Sequence, residues 1–216
     1  MIQFQQNGHT FEYVAASGSL GFDGKGWWYE WPLVALGMMR LELFTIVLRT
    51  LTTSHQFYPE SNLSWARPWT WLPWSPWSCV QFLHDNSLVN KVGLYNPGFE
   101  TWYHRTVPKL EFKKLKLVVS LYGTKEELVH MAKKLNNNPD FVGIEINVSC
   151  RNARSTEVTK TIIESVKAIR KVSRHPIIVK TSVDQEYLEI AAGVAGFAEA
   201  ISLNGPSWEK VFTKYP

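Results

Sequence analysis

The sequence predicts an α/β protein whose core is a sheet of parallel strands. Short aliphatic runs alternate strictly with segments of helical periodicity, and turn residues separate most of them. Parallel strands need a crossover connection, which is usually a helix. The chain has 216 residues, of which 45% are hydrophobic and 19% charged, as is typical of one globular domain with a sizeable core. We therefore expect a single domain spanning residues 1–216.

The second half of the chain shows the alternation most clearly. Residues 115–121 form an aliphatic strand, and Thr124 and Glu127 then form a capping box that begins a helix. The turn at 136–139 ends this helix. The remaining predicted elements are strands at 141–148, 177–181 and 198–204, a helix at 156–172, and a short helix capped by Asp184 and running to 192.

The first half adds two strands, at 11–16 before a glycine-rich loop and at 43–50 in a β-branched run. Six strands result. Their alternation with helices fits either an open doubly wound sheet or a (β/α)8 barrel, and periodicity does not distinguish these two folds.

Residues 55–79 interrupt the pattern with five tryptophans interleaved with four prolines. The prolines are incompatible with a regular helix or a central strand. Three interpretations stay open for this segment: a loop packed on the rim of the sheet, an aromatic lid over a ligand, or a stacking surface for single-stranded nucleic acid.

The composition argues against several other classes of protein. No run of about 20 apolar residues occurs, which argues against a membrane span, and the first residues do not resemble a secretory signal. Cys79 and Cys150 lack the spacing of usual zinc or iron–sulfur sites. Residues 109–180 hold 15 Lys and Arg against 7 Asp and Glu, an excess typical of solvated helix faces. We expect a cytoplasmic protein with no nucleic-acid partner and no bound metal.

Polar residues and glycines follow the ends of the predicted strands, where parallel α/β folds bind ligands. An asparagine offers both a donor and an acceptor, which suits a planar ligand with amide and carbonyl edges, and a lysine can neutralise an anionic ligand. Strand-end asparagines are also common turn formers, and a lone cysteine is commonly a small core residue. The candidates are Ala16, Ser17, Gly18, Arg49, Thr50, Asn90, Gly93, Leu94, Asn147, Cys150, Asn152, Lys180 and Asn204.

These candidates resemble motifs of the dihydroorotate dehydrogenase family. The run from Asn147 to Cys150, followed by Asn152, resembles the signature Asn-x-Ser-Cys-Pro-Asn, and residues 90–98 are similar to the loop Asn-x-x-Gly-Leu-x-Asn-x-Gly. Residues 16–18 look like the first flavin-binding turn of the family. Lys180 matches its strand-end lysine, and Asn204 matches its late asparagine.

The resemblance implies a (β/α)8 barrel that binds FMN and oxidises dihydroorotate to orotate in de novo pyrimidine (UMP) biosynthesis. Cys150 would remove the C5 proton while a hydride leaves C6 for the flavin, and a cysteine at this position points to the soluble class. The substrate would be held by Asn90, Gly93, Leu94, Asn147, Asn152 and Asn204. The flavin would be held by Ala16, Ser17, Gly18, Arg49, Thr50, Asn147 and Lys180.

Four features depart from the family pattern. Arg49 stands where a lysine is usual, Arg151 replaces the signature proline, and the Trp/Pro-rich segment is longer than expected. Only six strands precede Pro216, and no glycine-rich phosphate loop follows Asn204. We therefore expect a barrel truncated at its carboxyl end. It would be a fragment of a longer product, a non-catalytic relative serving as an interaction module, or a chain completed by a second chain or by self-association.

Overall fold

The computed structural model describes residues 2–27, 29–56, 80–82, 88–90, 94–149 and 159–206. These ranges contain ten strands and five α-helices. The strands are β1 Ile2–Gln3, β2 Thr10–Phe11, β3 Tyr13–Ala15, β4 Phe44–Val47, β5 Val80–Phe82, β6 Leu88–Asn90, β7 Lys116–Leu121, β8 Gly143–Asn147, β9 Ile177–Ser182 and β10 Ala200–Asn204. The helices are α1 Trp31–Ala35, α2 Phe99–Arg105, α3 Lys125–Leu135, α4 Thr159–Arg170 and α5 Tyr187–Val194.

Six strands form one parallel sheet in the order β3-β4-β7-β8-β9-β10. The order follows the chain without reversal. A doubly wound sheet reverses its strand order at a switch point, whereas a barrel adds each new strand on the same side. The structure therefore confirms the α/β class and favours the barrel, with six of its eight strands among the described residues.

The six predicted sheet strands are all present, with shifted ends at several of them. The predicted strand at 11–16 is divided, because β2 pairs antiparallel with β1 while β3 joins the parallel sheet. The capping box is confirmed: the Thr124 hydroxyl accepts a hydrogen bond from the Glu127 amide, and the Glu127 carboxylate accepts one from the Thr124 amide. The predicted cap at Asp184 is wrong. The Gln185 side chain bonds the Ser182 amide and the Thr181 hydroxyl, and this extra turn delays α5 to residue 187.

The helices α3, α4 and α5 cover the outer face of the sheet. Their apolar sides belong to one buried cluster with the outward side chains of the strands. From α3 this cluster takes Leu128, Met131 and Leu135, and from α4 it takes Ile162, Val166 and Ile169. Among the described residues, no helix combines the length and the apolar character needed to cross a bilayer.

A separate cluster fills the inner face at the amino ends of the strands. Phe4 and Phe11 of the β1–β2 hairpin pack there against Val47, Val118 and Ile178. The two phenyl rings meet edge to face, with their centroids 4.6 Å apart. This hairpin fills the amino end of the inner face mainly with apolar side chains, and the His9 ring between its strands bonds the buried Thr45 hydroxyl at 2.9 Å.

Candidate functional site

The carboxyl half of the inner face carries a layer of polar side chains. Ser120 on β7 lies opposite Glu145 on β8, and Asn147 lies opposite Lys180 on β9. Side chains two residues apart on a strand share a face. Glu145 is opposite Ile178, which faces the inner apolar cluster, so all four polar side chains lie on the inner face. The strand register thus brings together residues that are far apart in the chain.

Thr50 is the centre of the hydrogen bonds in this layer, which we call the polar layer. Its hydroxyl oxygen lies 2.9 Å from the Ser120 hydroxyl and 3.1 Å from the Ser17 hydroxyl, and it accepts a 2.9 Å bond from the Asn147 amide. Ser17 also donates to the Leu48 carbonyl at 3.0 Å. Thr50 is 4% exposed. The turn after β3, the end of β4 and the end of β8 are therefore held as one unit.

Among the residues that the structure describes, one amide hydrogen of Asn147 has no partner and is available to a ligand. Its oxygen accepts two bonds, from the Ser149 amide at 3.2 Å and the Ser149 hydroxyl at 2.8 Å, which uses both lone pairs. One of its two amide hydrogens goes to Thr50. The sequence suggested both a donor and an acceptor here, but the local turn at Ser149 takes the acceptor. We infer that Asn147 can present only a donor to a ligand.

Glu145 is a buried carboxyl group in the polar layer. It is 3% exposed and accepts a 2.7 Å hydrogen bond from the Ser120 hydroxyl. Burial raises the pKa of Glu145 above its ordinary value, and the charge of Lys180 and the Ser120 hydrogen bond only partly oppose this. This carboxyl group therefore keeps its proton to a higher pH than an exposed one does.

The turn after β3 has the shape of a ligand-binding loop. The Ser19 amide and hydroxyl both bond the Ala16 carbonyl, at 3.1 and 2.6 Å. Gly18 has a φ of +95°, and among the described residues no atom lies within 4 Å of where its Cβ would be. Ser17 is half-buried beneath the exposed Ala16. The turn is therefore tied to the polar layer on one side and open on the other.

Arg49 lies beside the polar layer, among aromatic side chains. Its guanidinium carbon is 5.7 Å from the centre of the Phe22 ring and 5.9 Å from that of Trp27. Its Nε donates a 3.1 Å hydrogen bond to the Tyr95 carbonyl. These contacts join the glycine-rich loop to the segment around Tyr95. The Arg49 cation therefore has a structural part in this corner of the site.

Asn96 was predicted only as part of a motif. In the structure its side chain holds the backbone on both sides of it by hydrogen bonds. Its oxygen accepts bonds from the amides of Thr52 and Gly98, at 3.2 and 2.9 Å, and its amide donates to the Leu94 carbonyl at 2.7 Å. Asn96 is fully buried. Gly98 has a φ of +80°, and a Cβ there would lie 2.8 Å from the His55 amide nitrogen. The part of the motif from the buried Leu94 to Gly98 therefore fixes the backbone.

Asn204 ends β10 as predicted, whereas Lys180 lies two residues before the end of β9 at Ser182. Lys180 is half-buried beside Asn147 in the sheet register. Asn204 is exposed, and its carbonyl accepts a 3.1 Å bond from the Val183 amide. The side chain of Asn90 and all of Gly93, Cys150 and Asn152 lie outside the described residues, as do residues 57–79 of the Trp/Pro-rich segment. The predicted roles of these residues remain predictions.

Two residues of the polar layer, Ser120 and Glu145, were not among the sequence candidates. The signal for Glu145 is its place two residues before Asn147 in a strand whose five residues are all buried. A carboxyl group in such a strand must face other polar groups. Ser120 stands at the same level on β7, but nothing in its sequence neighbourhood distinguishes it.

A groove of about 660 Å³ lies at the other end of the barrel. It is bounded by Leu41 and Leu115, which precede β4 and β7, and by Trp31 and Met39. The Lys25–Glu111 ion pair, 2.7 Å long, lies on its rim. Barrel enzymes carry out their chemistry at the carboxyl ends of the strands, so we place the functional site in the polar layer.

Comparisons with known proteins identify relatives of this chain. The profile of a family described as "Dihydroorotate dehydrogenase" matches residues 79–205. The chain is 37% identical over 125 residues to a protein of Caldicellulosiruptor saccharolyticus named "Dihydroorotate dehydrogenase B (NAD(+)), catalytic subunit". Proteins of the same name in Geobacter metallireducens and Alkaliphilus oremlandii are 31% and 37% identical over 123 and 124 residues.

Each of these three matches covers 54% of this chain. They cover 41%, 40% and 41% of the three relatives, in the order given above. The chain thus matches about two fifths of the length of these relatives. The matched region, which contains β7, β8, β9 and β10, supplies most of the polar layer.

Proposed function

Because the chain belongs to the dihydroorotate dehydrogenase family, we propose that it carries the half-site of an FMN-dependent enzyme that oxidises dihydroorotate to orotate. The observation that carries this proposal is the polar layer at the carboxyl ends of the strands. There, Ser17, Thr50 and Asn147 are joined by hydrogen bonds, and Lys180 lies next to Asn147 in the register.

The hydrogen-bonding groups and charge of the described residues match those of a flavin ring. The ring has carbonyl oxygens and ring nitrogens along one edge, and a reduced ring is anionic. Asn147 presents one amide hydrogen, Lys180 a cation, and the open turn at Ala16 and Gly18 allows a flat ligand close to the backbone. A phosphate site is not among the groups of the polar layer, and in barrels it usually comes from the last two strands.

In the proposed reaction, FMN would supply the acceptor for the hydride from dihydroorotate. The part of this chain is to orient the substrate and to take its C5 proton. Cys150, three residues after Asn147, would be the base, with Asn90, Asn152 and Asn204 holding the pyrimidine ring. A thiol serves as a base where nearby cations favour the thiolate. Lys180 on the adjacent strand and Arg151 next to Cys150 are such cations in the sequence.

The relatives' names support a finer proposal about the electron acceptor. They are called catalytic subunits of an enzyme whose name includes NAD(+). We propose that this chain likewise passes its electrons to NAD+ through a second subunit. Reduced flavin that reoxidises with NAD+ only after a partner subunit is added would support this, whereas direct reoxidation by fumarate would count against it.

The first experiment is a flavin absorbance spectrum of the purified chain, with added FMN and then dihydroorotate. We expect a bound-flavin spectrum that bleaches on addition of dihydroorotate. Cys150→Ala should retain the flavin and lose at least about 100-fold in the bleaching rate, because general base catalysis contributes that much. Cys79→Ala is the matched control and should bleach at the parental rate. A Cys150→Ala protein that bleaches as fast as Cys79→Ala removes Cys150 from the base role.

A second candidate function is a non-catalytic interaction module derived from the same barrel. The observation that favours it is Arg49, which packs on Phe22 and Trp27 and bonds the Tyr95 carbonyl where the family pattern has a lysine. Folded protein that binds no FMN, and that still binds none after Arg49→Lys, would favour the module. Flavin binding gained by Arg49→Lys would instead show that the arginine alone blocks the site.

A further inference from the structure

A continuous chain of oxygen atoms leads from the buried carboxyl of Glu145 to the turn at Ser17. Glu145 Oε1 lies 2.7 Å from Ser120 Oγ, which lies 2.9 Å from Thr50 Oγ1, which lies 3.1 Å from Ser17 Oγ. Ser120 is fully buried and Thr50 nearly so, whereas Ser17 is half-buried next to the exposed Ala16. The chain therefore connects the interior with the open face of the site.

The number of hydroxyl hydrogens limits which oxygen donates and which accepts along this series of hydrogen bonds. A hydroxyl has one hydrogen and two lone pairs, and one lone pair of Thr50 is taken by the Asn147 amide. Thr50 can therefore accept from one of its two hydroxyl neighbours and must donate to the other. When Glu145 is ionised, Ser120 donates to it. In the arrangement that joins all three hydroxyls, Thr50 then donates to Ser120, and Ser17 turns its hydrogen from the Leu48 carbonyl to Thr50.

Protonation of Glu145 reverses every bond in the chain. The carboxyl hydrogen then goes to Ser120, the Ser120 hydrogen to Thr50, and the Thr50 hydrogen to Ser17. Ser17 in turn donates to the Leu48 carbonyl, which lies 3.0 Å away. Both directions satisfy all three hydroxyls, and the Asn147 bond is the same in each. The atoms can therefore remain in place while the hydrogens change partners.

We propose that Glu145 is a proton-exchanging group of this site and that Ser120, Thr50 and Ser17 relay its proton. One proton enters at Ser17, each hydroxyl accepts a hydrogen and passes on its own, and one proton arrives at the Glu145 carboxylate. No covalent bond to carbon changes, and the net result is the transfer of one proton from the open face to the interior.

The surroundings of Glu145 suit a group that changes charge. Lys180 of β9 acts on it electrostatically, and the described residues of β7 and of the segment after β4 contribute the hydroxyls of Ser120 and Thr50. The β1–β2 hairpin contributes the phenyl rings of Phe4 and Phe11, and its His9 ring bonds the Thr45 hydroxyl. Burial raises the pKa of Glu145, so the proton is held more tightly than by an exposed carboxyl.

The inference rests on the proposed function only for the purpose of the relay. The turn at Ser17 and the Lys180 cation are where that function places the flavin. A negative charge arriving there would favour proton uptake by Glu145, because like charges close together oppose each other's ionisation. The relay itself is a property of the ligand-free protein, and it can be tested without a ligand.

The test is infrared spectroscopy of the ligand-free chain after a rapid fall in pH. The carbonyl stretch of a protonated carboxylic acid, taken as the difference between wild type and Glu145→Gln, reports Glu145 alone. We expect Thr50→Val and Ser17→Ala each to slow the appearance of this band at least about tenfold, because each removes one member of the relay. Thr181→Val is the matched control and should leave the rate unchanged, since Thr181 is also buried and, among the described residues, its hydroxyl bonds Gln185 and no member of the relay.

The equilibrium of the same band separates the relay from electrostatics. Lys180→Met should raise the midpoint pH of the band without slowing its appearance, because it removes a favourable charge and no relay group. Ser120→Ala should raise the midpoint and also slow the band. Wild-type rates in both Thr50→Val and Ser17→Ala would overturn the proposal, as would the absence of a Glu145 band at every pH between about 4 and 9.

The outcomes also separate this inference from the proposed function. If Thr50→Val and Ser17→Ala slow the protonation of Glu145 but the protein binds no FMN, the relay stands and the proposed flavin enzyme does not. If the protein binds flavin and the flavin bleaches, but Thr50→Val and Ser17→Ala both protonate Glu145 at the wild-type rate, the proposed enzyme stands and the relay does not.

Discussion

Replacing Gly98 with alanine should destabilise the protein more than the same change at another glycine of positive φ. Gly98 has φ +80° and ψ 147°, a region that is essentially confined to glycine. Its added Cβ would lie 2.8 Å from the His55 nitrogen, 3.1 Å from the Ser54 carbonyl carbon and 3.3 Å from the His55 Cα. All three are backbone atoms, so a side-chain rotation cannot relieve the contact.

The magnitude follows from two contributions. The unfavourable dihedral angles cost about 1–3 kcal/mol. The segment 52–55 must also move away, which weakens the bonds from the Thr52 and Gly98 amides to Asn96, at about 1 kcal/mol each. We therefore expect Gly98→Ala to lower the free energy of unfolding by about 3–5 kcal/mol.

Gly196→Ala is the matched control. Gly196 has a φ of +78°, and among the described residues no atom lies within 4 Å of its added Cβ. It should therefore cost only the conformational part, about 1–2 kcal/mol. The assay is urea unfolding of both variants and the wild type, followed by circular dichroism. A loss in Gly98→Ala no larger than in Gly196→Ala would refute the close backbone contact between residues 54–55 and 98.

Two further predictions concern the amino end of the barrel and helix α3. Burial, followed by the charge of Lys116, lowers the pKa of His9 below 6.5. His9 therefore binds a proton more weakly in the folded protein than in the unfolded protein. Its contribution to stability is present above about pH 6.5 and is lost as the pH falls through the folded-state pKa. Thermal unfolding from pH 7.5 to 5 should show a steeper loss of stability in wild type than in His9→Gln, and parallel curves would contradict this. Thr124→Ala should cost about 1 kcal/mol by removing the capping box, as measured by urea unfolding. Thr159→Ala, at a helix start where no such box is seen in the described residues, is its control, and equal losses would argue against the cap.

Much of the fold could be predicted because each element is encoded locally. The capping box at Thr124 and Glu127, the helical spacing of Leu128 and Met131, and the aliphatic run of β7 depend on residues within one or two turns. The error at Asp184 has the same origin. The side chain of Gln185, the residue next to Asp184, competed for the turn through bonds to Ser182 and Thr181, three and four residues before it, which spacing does not reveal.

The site could be predicted only as a set of strand-end residues. Ser17, Thr50, Asn147 and Lys180 were identified because parallel strands place their carboxyl ends together. The remaining hydrogen-bonding capacity of each could not be predicted. The Asn147 oxygen is taken by Ser149, and the Thr50 hydroxyl has three partners from three different segments.

The sequence by itself thus determined the α/β class, the order of the strands and helices, and the motifs that resemble a flavin enzyme family. The tertiary structure decided that the sheet winds in one direction, that the β1–β2 hairpin fills the amino end of its inner face, and that Glu145 lies at the end of a hydroxyl chain. The physical reason is that periodicity and capping act over a few residues. Strand register, in contrast, joins Ser17, Thr50, Ser120 and Glu145 across more than a hundred positions, where only the packing of the whole sheet sets the distances between them.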